Sequence, residues 1–171
     1  NHGYCRVEEE GGMWAAVAAD NGIFKVVPPA QKDGEWSVET LTENAASDMT
    51  FADFDGDGEL EMLVMTPFHG EIIKIYKKVN GTYTCVKTFE KPYEFAHGIW
   101  GAEIFGKGAA IIGHRKGERD LLACTYDGSD YVMEVLDHDV GPANVRVYEK
   151  PGKVGLVSTN REIDQIAYYE I

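Results

Sequence analysis

Three short turn signals recur at a fixed interval, and this limits the folds open to the chain more than any other feature. Asp33-Gly34, Asn80-Gly81 and Asp127-Gly128 each lie between two runs of strand-forming residues, and their glycines are 47 residues apart in both intervals. Asp-Gly and Asn-Gly are the dipeptides favoured by two-residue type I′ hairpin turns, in which both central residues take positive φ. A period of this length points to a repeat architecture with one supersecondary unit per repeat.

The segments between the turns align in the same period. First strands are expected at 3–8, 49–53, 98–104 and 144–149, and short apolar second strands at 14–18, 61–65, 109–113 and 154–158. Third strands follow at 23–27, 72–77, 121–126 and 163–169, and fourth strands at 37–41, 84–89 and 131–136. The runs are rich in Val, Ile, Tyr, Phe and Thr, and no segment between them carries a helical period. Four antiparallel strands in about 45–50 residues is the size of a propeller blade. A β-sandwich also has many short strands, but it gives no reason for turn chemistry to recur at constant spacing. The expected fold is therefore all-β, a β-propeller occupying 1–171, with approximate blades 1–45, 46–95, 96–141 and 142–171. The last blade lacks its fourth strand. This count favours consecutive blades of a larger propeller, whose end blades would be weak or sticky without neighbours.

Lys and Arg total 16 against 29 Asp and Glu, a formal net charge of −13. Such a surface repels phosphate backbones, which argues against nucleic-acid partners and favours cations. No apolar run reaches the roughly 20 residues that a membrane span needs. Cys5, Cys85 and Cys124 are odd in number and widely spaced, without the short spacings of zinc or redox motifs, and read as small buried hydrophobes. Unpaired cysteines and a start without a secretory pattern are compatible with a cytoplasmic protein.

One connection between a first and a second strand stands apart: Asp53-Phe54-Asp55-Gly56-Asp57-Gly58-Glu59-Leu60-Glu61. The alternating Asp53, Asp55 and Asp57 place three carboxylates on the inside of a tight curl, which Gly56 and Gly58 permit. The Glu59 carbonyl and the Glu61 carboxylate are the next inward oxygens. Ca²⁺ takes six to eight hard oxygen ligands, which this set supplies together with one or two waters. An EF-hand would need a bidentate Glu at its twelfth position, where this chain has Val64, and no flanking helices are expected. Without a cation, carboxylates this close repel one another.

An Asp-x-Asp-Gly-Asp-Gly-x-x-Glu loop between two strands, inside a repeat of this length, resembles the FG-GAP/VCBS repeat family, of which integrin α-subunit propellers are members. The repeat pattern covers nearly the whole chain, whereas the acidic motif occurs once. The family's loops usually end in Asp where this one has the longer Glu61. The equivalent connections at 8–12, 103–107 and 148–152 lack the Asp ladder. The resemblance implies one Ca²⁺ site of structural role, a glycan or protein ligand, and an extracellular or cell-surface setting. Remaining blades or a partner chain would complete the ring.

In a propeller, loops joining strands 1–2 and 3–4 lie on one face, and loops joining strands 2–3 or successive blades lie on the other. All five histidines map to the second face or its edge, with Arg115, Lys116, Arg119 and Arg161 nearby. His2 and His97 precede first strands, which line the central channel, so the pair is expected to address a common axial pocket. Imidazoles with arginine neighbours suit a general base or a transition-metal site. On this reading His2, His97, His114, Arg115 and Arg119 are catalytic candidates in a lyase or dehydratase acting on a sugar. The bland reading is that polar residues collect in loops. Several propellers of this general kind are carbohydrate-active. The segments His97-Gly98-Ile99-Trp100 and Gly113-His114-Arg115-Lys116-Gly117 are similar to parts of the propeller of aldos-2-ulose dehydratase. Trp14, Trp36 and Trp100 are expected to pack between blades rather than to stack on sugars.

Overall fold

The computed structural model describes residues 3–9, 11–67 and 69–170. They form four antiparallel sheets arranged as the blades of a four-blade β-propeller. Blade 1 contains β1 (Tyr4–Glu9), β2 (Gly12–Ala19), β3 (Gly22–Val27) and β4 (Ser37–Thr42), and blade 2 contains β5 (Asp48–Ala52), β6 (Glu61–Thr66), β7 (Ile72–Val79) and β8 (Thr82–Thr88). Blade 3 contains β9 (Ala96–Ile104), β10 (Lys107–His114), β11 (Leu121–Tyr126) and β12 (Tyr131–Asp137). Blade 4 has three strands, β13 (Pro142–Lys150), β14 (Lys153–Asn160) and β15 (Gln165–Glu170). No helix among the described residues is long and apolar enough to cross a membrane.

Burial follows position within each blade. Second strands have a neighbouring blade against one or both faces, so β6 is buried along five of its six residues and β10 along all but its first. Their sequences are accordingly apolar runs rather than alternations. Fourth strands lie at the rim, and four of the six residues of β4 are exposed.

Three apolar clusters hold the blades together. Trp14, Ala16 and Ile23 of blade 1 meet Met49, Met62 and Val64 of blade 2. The opposite side of blade 2, with Leu63, Met65, Ile73 and Ile75, meets Ala110, Ile112 and Leu122 of blade 3. Ile111 and Leu121 on the far side of blade 3 meet Val145, Val147 and Leu156 of blade 4. Among the described residues, no cluster of this kind joins blade 4 to blade 1.

The three marker turns differ in geometry. Asn80 (φ 52°) and Gly81 (φ 81°) form the expected two-residue turn with both angles positive. At the third marker Gly128 is positive (φ 99°), but the connection is widened, with Asp127 Oδ1 accepting the Ser129 and Asp130 amides at 2.8 and 2.9 Å. Asp33-Gly34 does not form a hairpin turn. It lies in the long connection between β3 and β4, after Pro28-Pro29, and the Gly34 amide donates back to the Gln31 carbonyl at 3.0 Å. The third strand of blade 4 begins later than expected, because Arg161–Ile163 forms a 3₁₀ turn that ends at Asp164 in a left-handed conformation.

Candidate metal centre

β5 and β6 of blade 2 enclose the acidic loop, and its carboxylates organise their own backbone. Asp53 accepts the Gly56 amide on Oδ1 at 2.8 Å and the Gly58 amide on Oδ2 at 3.0 Å. Asp55 Oδ1 accepts the Asp57 amide at 3.3 Å, and Asp57 Oδ1 accepts the Glu59 amide at 2.9 Å. Gly56 (φ 76°) and Gly58 (φ 91°) supply the left-handed conformations that close the curl. Tyr83 of β8 fixes the exit by donating its hydroxyl to the Leu60 carbonyl at 3.1 Å.

Glu61, the first residue of β6, is fully buried. Its Oε2 accepts the Phe54 amide at 2.7 Å, while Oε1 has no hydrogen bond. Burial raises its carboxyl above the ordinary range, an effect opposed by the Phe54 amide and by Lys77. Asp53, Asp55 and Glu61 each offer an oxygen, and these oxygens lie within 4.8 Å of one another. Carboxylate oxygens gathered this closely, on a side chain with one buried oxygen that lacks a hydrogen bond, could bind a metal ion, and oxygen donors suit a hard one. Asp57 lies at the more exposed edge. Glu59 is exposed, and its backbone amide donates to Asp57 Oδ1.

Lys77 of β7, which the motif does not contain, also enters this loop. Its ammonium contacts Asp55 Oδ2 and lies 2.7 Å from Asp57 Oδ2 and 3.1 Å from Glu61 Oε1. The Glu61 contact is an ion pair without hydrogen-bond geometry, which is why Oε1 remains unsatisfied. Burial works against the Lys77 charge, but its contacts with the Asp55, Asp57 and Glu61 carboxylates outweigh it and hold its pKa above the usual lysine value. The same contact is the leading cause that lowers the Asp57 carboxyl.

A broad groove of about 1040 Å³ runs beside this loop, lined by Asp53–Gly56, Gly106–Gly108 and Tyr126–Gly128. The strand 1–2 and 3–4 connections therefore share one face, as expected. A separate cavity of about 430 Å³ is bounded by the first strands of all four blades and includes Arg6, Asp48, Thr50, Trp100 and Asn144.

On the opposite face the predicted residues fall into different groups. His2 lies outside the described residues. His97 places Nδ1 2.8 Å from the Ala143 carbonyl, and its ring stacks 5.9 Å from Phe95 and lies tilted 5.7 Å from His69. Arg115 lies 4.9 Å over the Phe95 ring, with Lys116 at 5.3 Å. His114 is buried and already used: Nδ1 donates to the Lys116 carbonyl at 2.9 Å, and Nε2 accepts the Asp120 amide at 3.1 Å. Burial lowers its pKa, which favours the neutral ring. Arg115 pairs with Glu162 through Nε and Nη2 at 3.0 and 2.8 Å, and Arg119 pairs with Asp139. Among the described residues, Asp53, Asp55 and Glu61 form the one group of three or more His, Cys, Asp or Glu positioned to hold a metal ion, and no described histidine belongs to it.

Two residue types depart from expectation. Trp14 and Trp100 pack between blades, but Trp36 is 62% exposed on the β3–β4 connection. Cys124 is buried and Cys5 partly so, whereas Cys85 is exposed at the rim, and none is disulfide-bonded.

Fold and loop together define a β-propeller with one acidic, cation-compatible connection. No protein-family model matches the chain, and no curated protein matches it.

Proposed function

We propose that this chain is a calcium-braced β-propeller of the FG-GAP/VCBS kind that serves as a binding module for a carbohydrate or protein ligand. The observation that carries the reading is the convergence of Asp53, Asp55 and buried Glu61, with Glu61 Oε1 lacking a hydrogen bond. Asp53, Asp55, Asp57, the Glu59 carbonyl and Glu61 would hold the ion. Bound calcium offsets part of the loop's negative charge and ties β5 to β6; the loop's own amide bonds pre-shape it for that task. The ligand-facing surface is assigned to the side bearing Phe95, His69, His97, Arg115 and Lys116, where aromatic faces and cations gather on an otherwise acidic protein. Further blades, from a longer chain or a partner, are assigned to the outer faces of blades 1 and 4.

A sugar lyase or dehydratase on the same face draws less support, because Arg115, Arg119 and His114 are engaged in internal pairs. Thermal unfolding with excess Ca²⁺ and with chelator tests the calcium reading. At a hundredfold excess over Kd a binder of this size gains about 2.7 kcal/mol, or roughly 5–10 °C in Tm. Glu61→Gln, which keeps the Phe54 bond but removes the charge, should lose most of the shift. An unchanged wild-type Tm would reject the calcium site. A glycan array probed with wild type and Phe95→Ala tests the ligand face, and a signal indifferent to Phe95 would relocate it.

A further inference from the structure

The calcium motif consists of a contiguous loop, yet the residue that touches most of its carboxylates comes from another strand. Lys77 follows Ile73 and Ile75 on β7, and those two side chains belong to the apolar face turned towards blade 3. On the paired strand the same face carries Leu63 and Met65, in register with Ile75 and Ile73. One step beyond the Met62–Tyr76 pair, the ladder brings Glu61 beside Lys77. A charged pair thus ends an apolar stripe at the rim of the acidic loop. The Lys77 ammonium reaches Asp55, Asp57 and Glu61, three of the four side chains that would hold the ion.

We infer that Lys77 is a tethered counter-ion that occupies the calcium position when the site is empty and must leave when Ca²⁺ binds; the inference rests on the calcium reading above. Four carboxylates drawn together without a cation repel one another, and one ammonium in their midst relieves part of that repulsion. The same ammonium cannot stay close to a divalent ion sharing its oxygens. Its stem is long enough to swing into solvent. A site whose competent state is only a fraction of the population binds with its intrinsic Kd divided by that fraction. Lys77 therefore sets the calcium affinity of the loop without being one of its ligands.

Calorimetric titration of Ca²⁺ into wild type, Lys77→Met and Lys77→Gln tests this. If the Lys77-occupied form outnumbers the open form by about ten to one, both variants bind Ca²⁺ about tenfold more tightly than wild type. Thermal unfolding gives a second reading. The variants should melt below wild type in chelator but equal it when calcium-loaded, so the calcium-induced rise in Tm grows. A merely structural lysine would lower both melting points together and leave that rise unchanged. Equal or weaker calcium binding in both variants, with wild type still binding, overturns the inference and leaves the calcium site standing. Failure of all three proteins to bind removes the calcium reading itself, and the inference with it.

Discussion

Single charged side chains held away from water set the local energetics of this propeller. Glu61 is tolerated in a buried position because one oxygen takes a backbone amide and the other faces a cation. Asp48, at the start of β5 beside the axial cavity, has no ion pair of that kind among the described residues. Burial pushes its carboxyl up to about 7, against the opposing effect of the Met49 amide, which donates to its Oδ1 at 2.9 Å. An unfolded Asp titrates near 4, so the folded protein holds this proton over a window from about pH 4 to about pH 7. The stability Asp48 contributes is then fully present below about pH 4 and is lost as pH rises through about 7. Asp48→Asn removes this titration. Urea unfolding at pH 5 and pH 8 should show wild type losing about 1–2 kcal/mol more than the variant, a figure reduced for partial solvent access. Parallel pH dependence in the two proteins would show that Asp48 ionises freely.

At the scale of elements, blade 3 approaches blade 2 through glycines. A Cβ on Gly108 of β10 would overlap the Asp53 carbonyl and crowd the Phe54 amide, and one on Gly101 of β9 would overlap Thr50 Oγ1 and the Phe51 carbonyl. The acidic loop is therefore supported from behind by the neighbouring blade. Gly108→Ala should cost about 1–3 kcal/mol by overpacking and weaken the proposed calcium binding with it, because the displaced backbone carries Asp53 and the amide that holds Glu61. Far-UV circular dichroism through a denaturant series, with a calcium titration of the folded variant, checks both effects; unchanged affinity would separate the loop from its backing. The same scale explains how much was legible in the sequence. Strand pairing and the loop's carboxylates are local: Asn80-Gly81 turns as its dipeptide requires, and the Asp ladder curls on its own amides. Asp33-Gly34 misled because Pro28-Pro29 and the exposed segment around Trp36 lengthen the connection, and the dipeptide alone does not register loop length. Lys77 was missed because its partnership with the loop arises from cross-strand register. One signal was present: a lysine at the third place of the alternation Ile73, Ile75, Lys77, where an apolar residue is expected. The histidines looked like a set because they share a face, but backbone contacts divide them. His114 pins its own loop and His97 bridges to blade 4, and neither role is visible in residue type.

For the whole molecule, the decisive fact is that three inter-blade clusters serve four blades. The inner face of each end blade is packed, and among the described residues no such cluster covers the outer face. On blade 1, Val38 is 64% exposed, and the paired Val26 and Ala15 beneath it are only partly covered. On blade 4, Ile166 is 78% exposed, alongside Tyr148 and Tyr168. Both surfaces carry aliphatic and aromatic side chains at positions equivalent to those that pack elsewhere between blades. Repeats of this kind gain stability from neighbour interfaces, so an unpaired outer face leaves a stabilising contact unmade. Two different apolar faces at opposite ends favour head-to-tail contacts rather than a self-complementary pair, and such contacts either close a ring or extend. Opposing this, a net charge of −13 repels like molecules at low ionic strength and is screened at high salt. The isolated chain should therefore self-associate as protein concentration and salt rise together, in sedimentation velocity experiments. Adding a charge to each surface with Val38→Glu and Ile166→Glu should hold it monomeric, with each single variant able to engage through one end only and stopping at a dimer when mixed with the other. A chain that stays monomeric at high salt and tens of micromolar protein would mean that these faces do not seek a further blade.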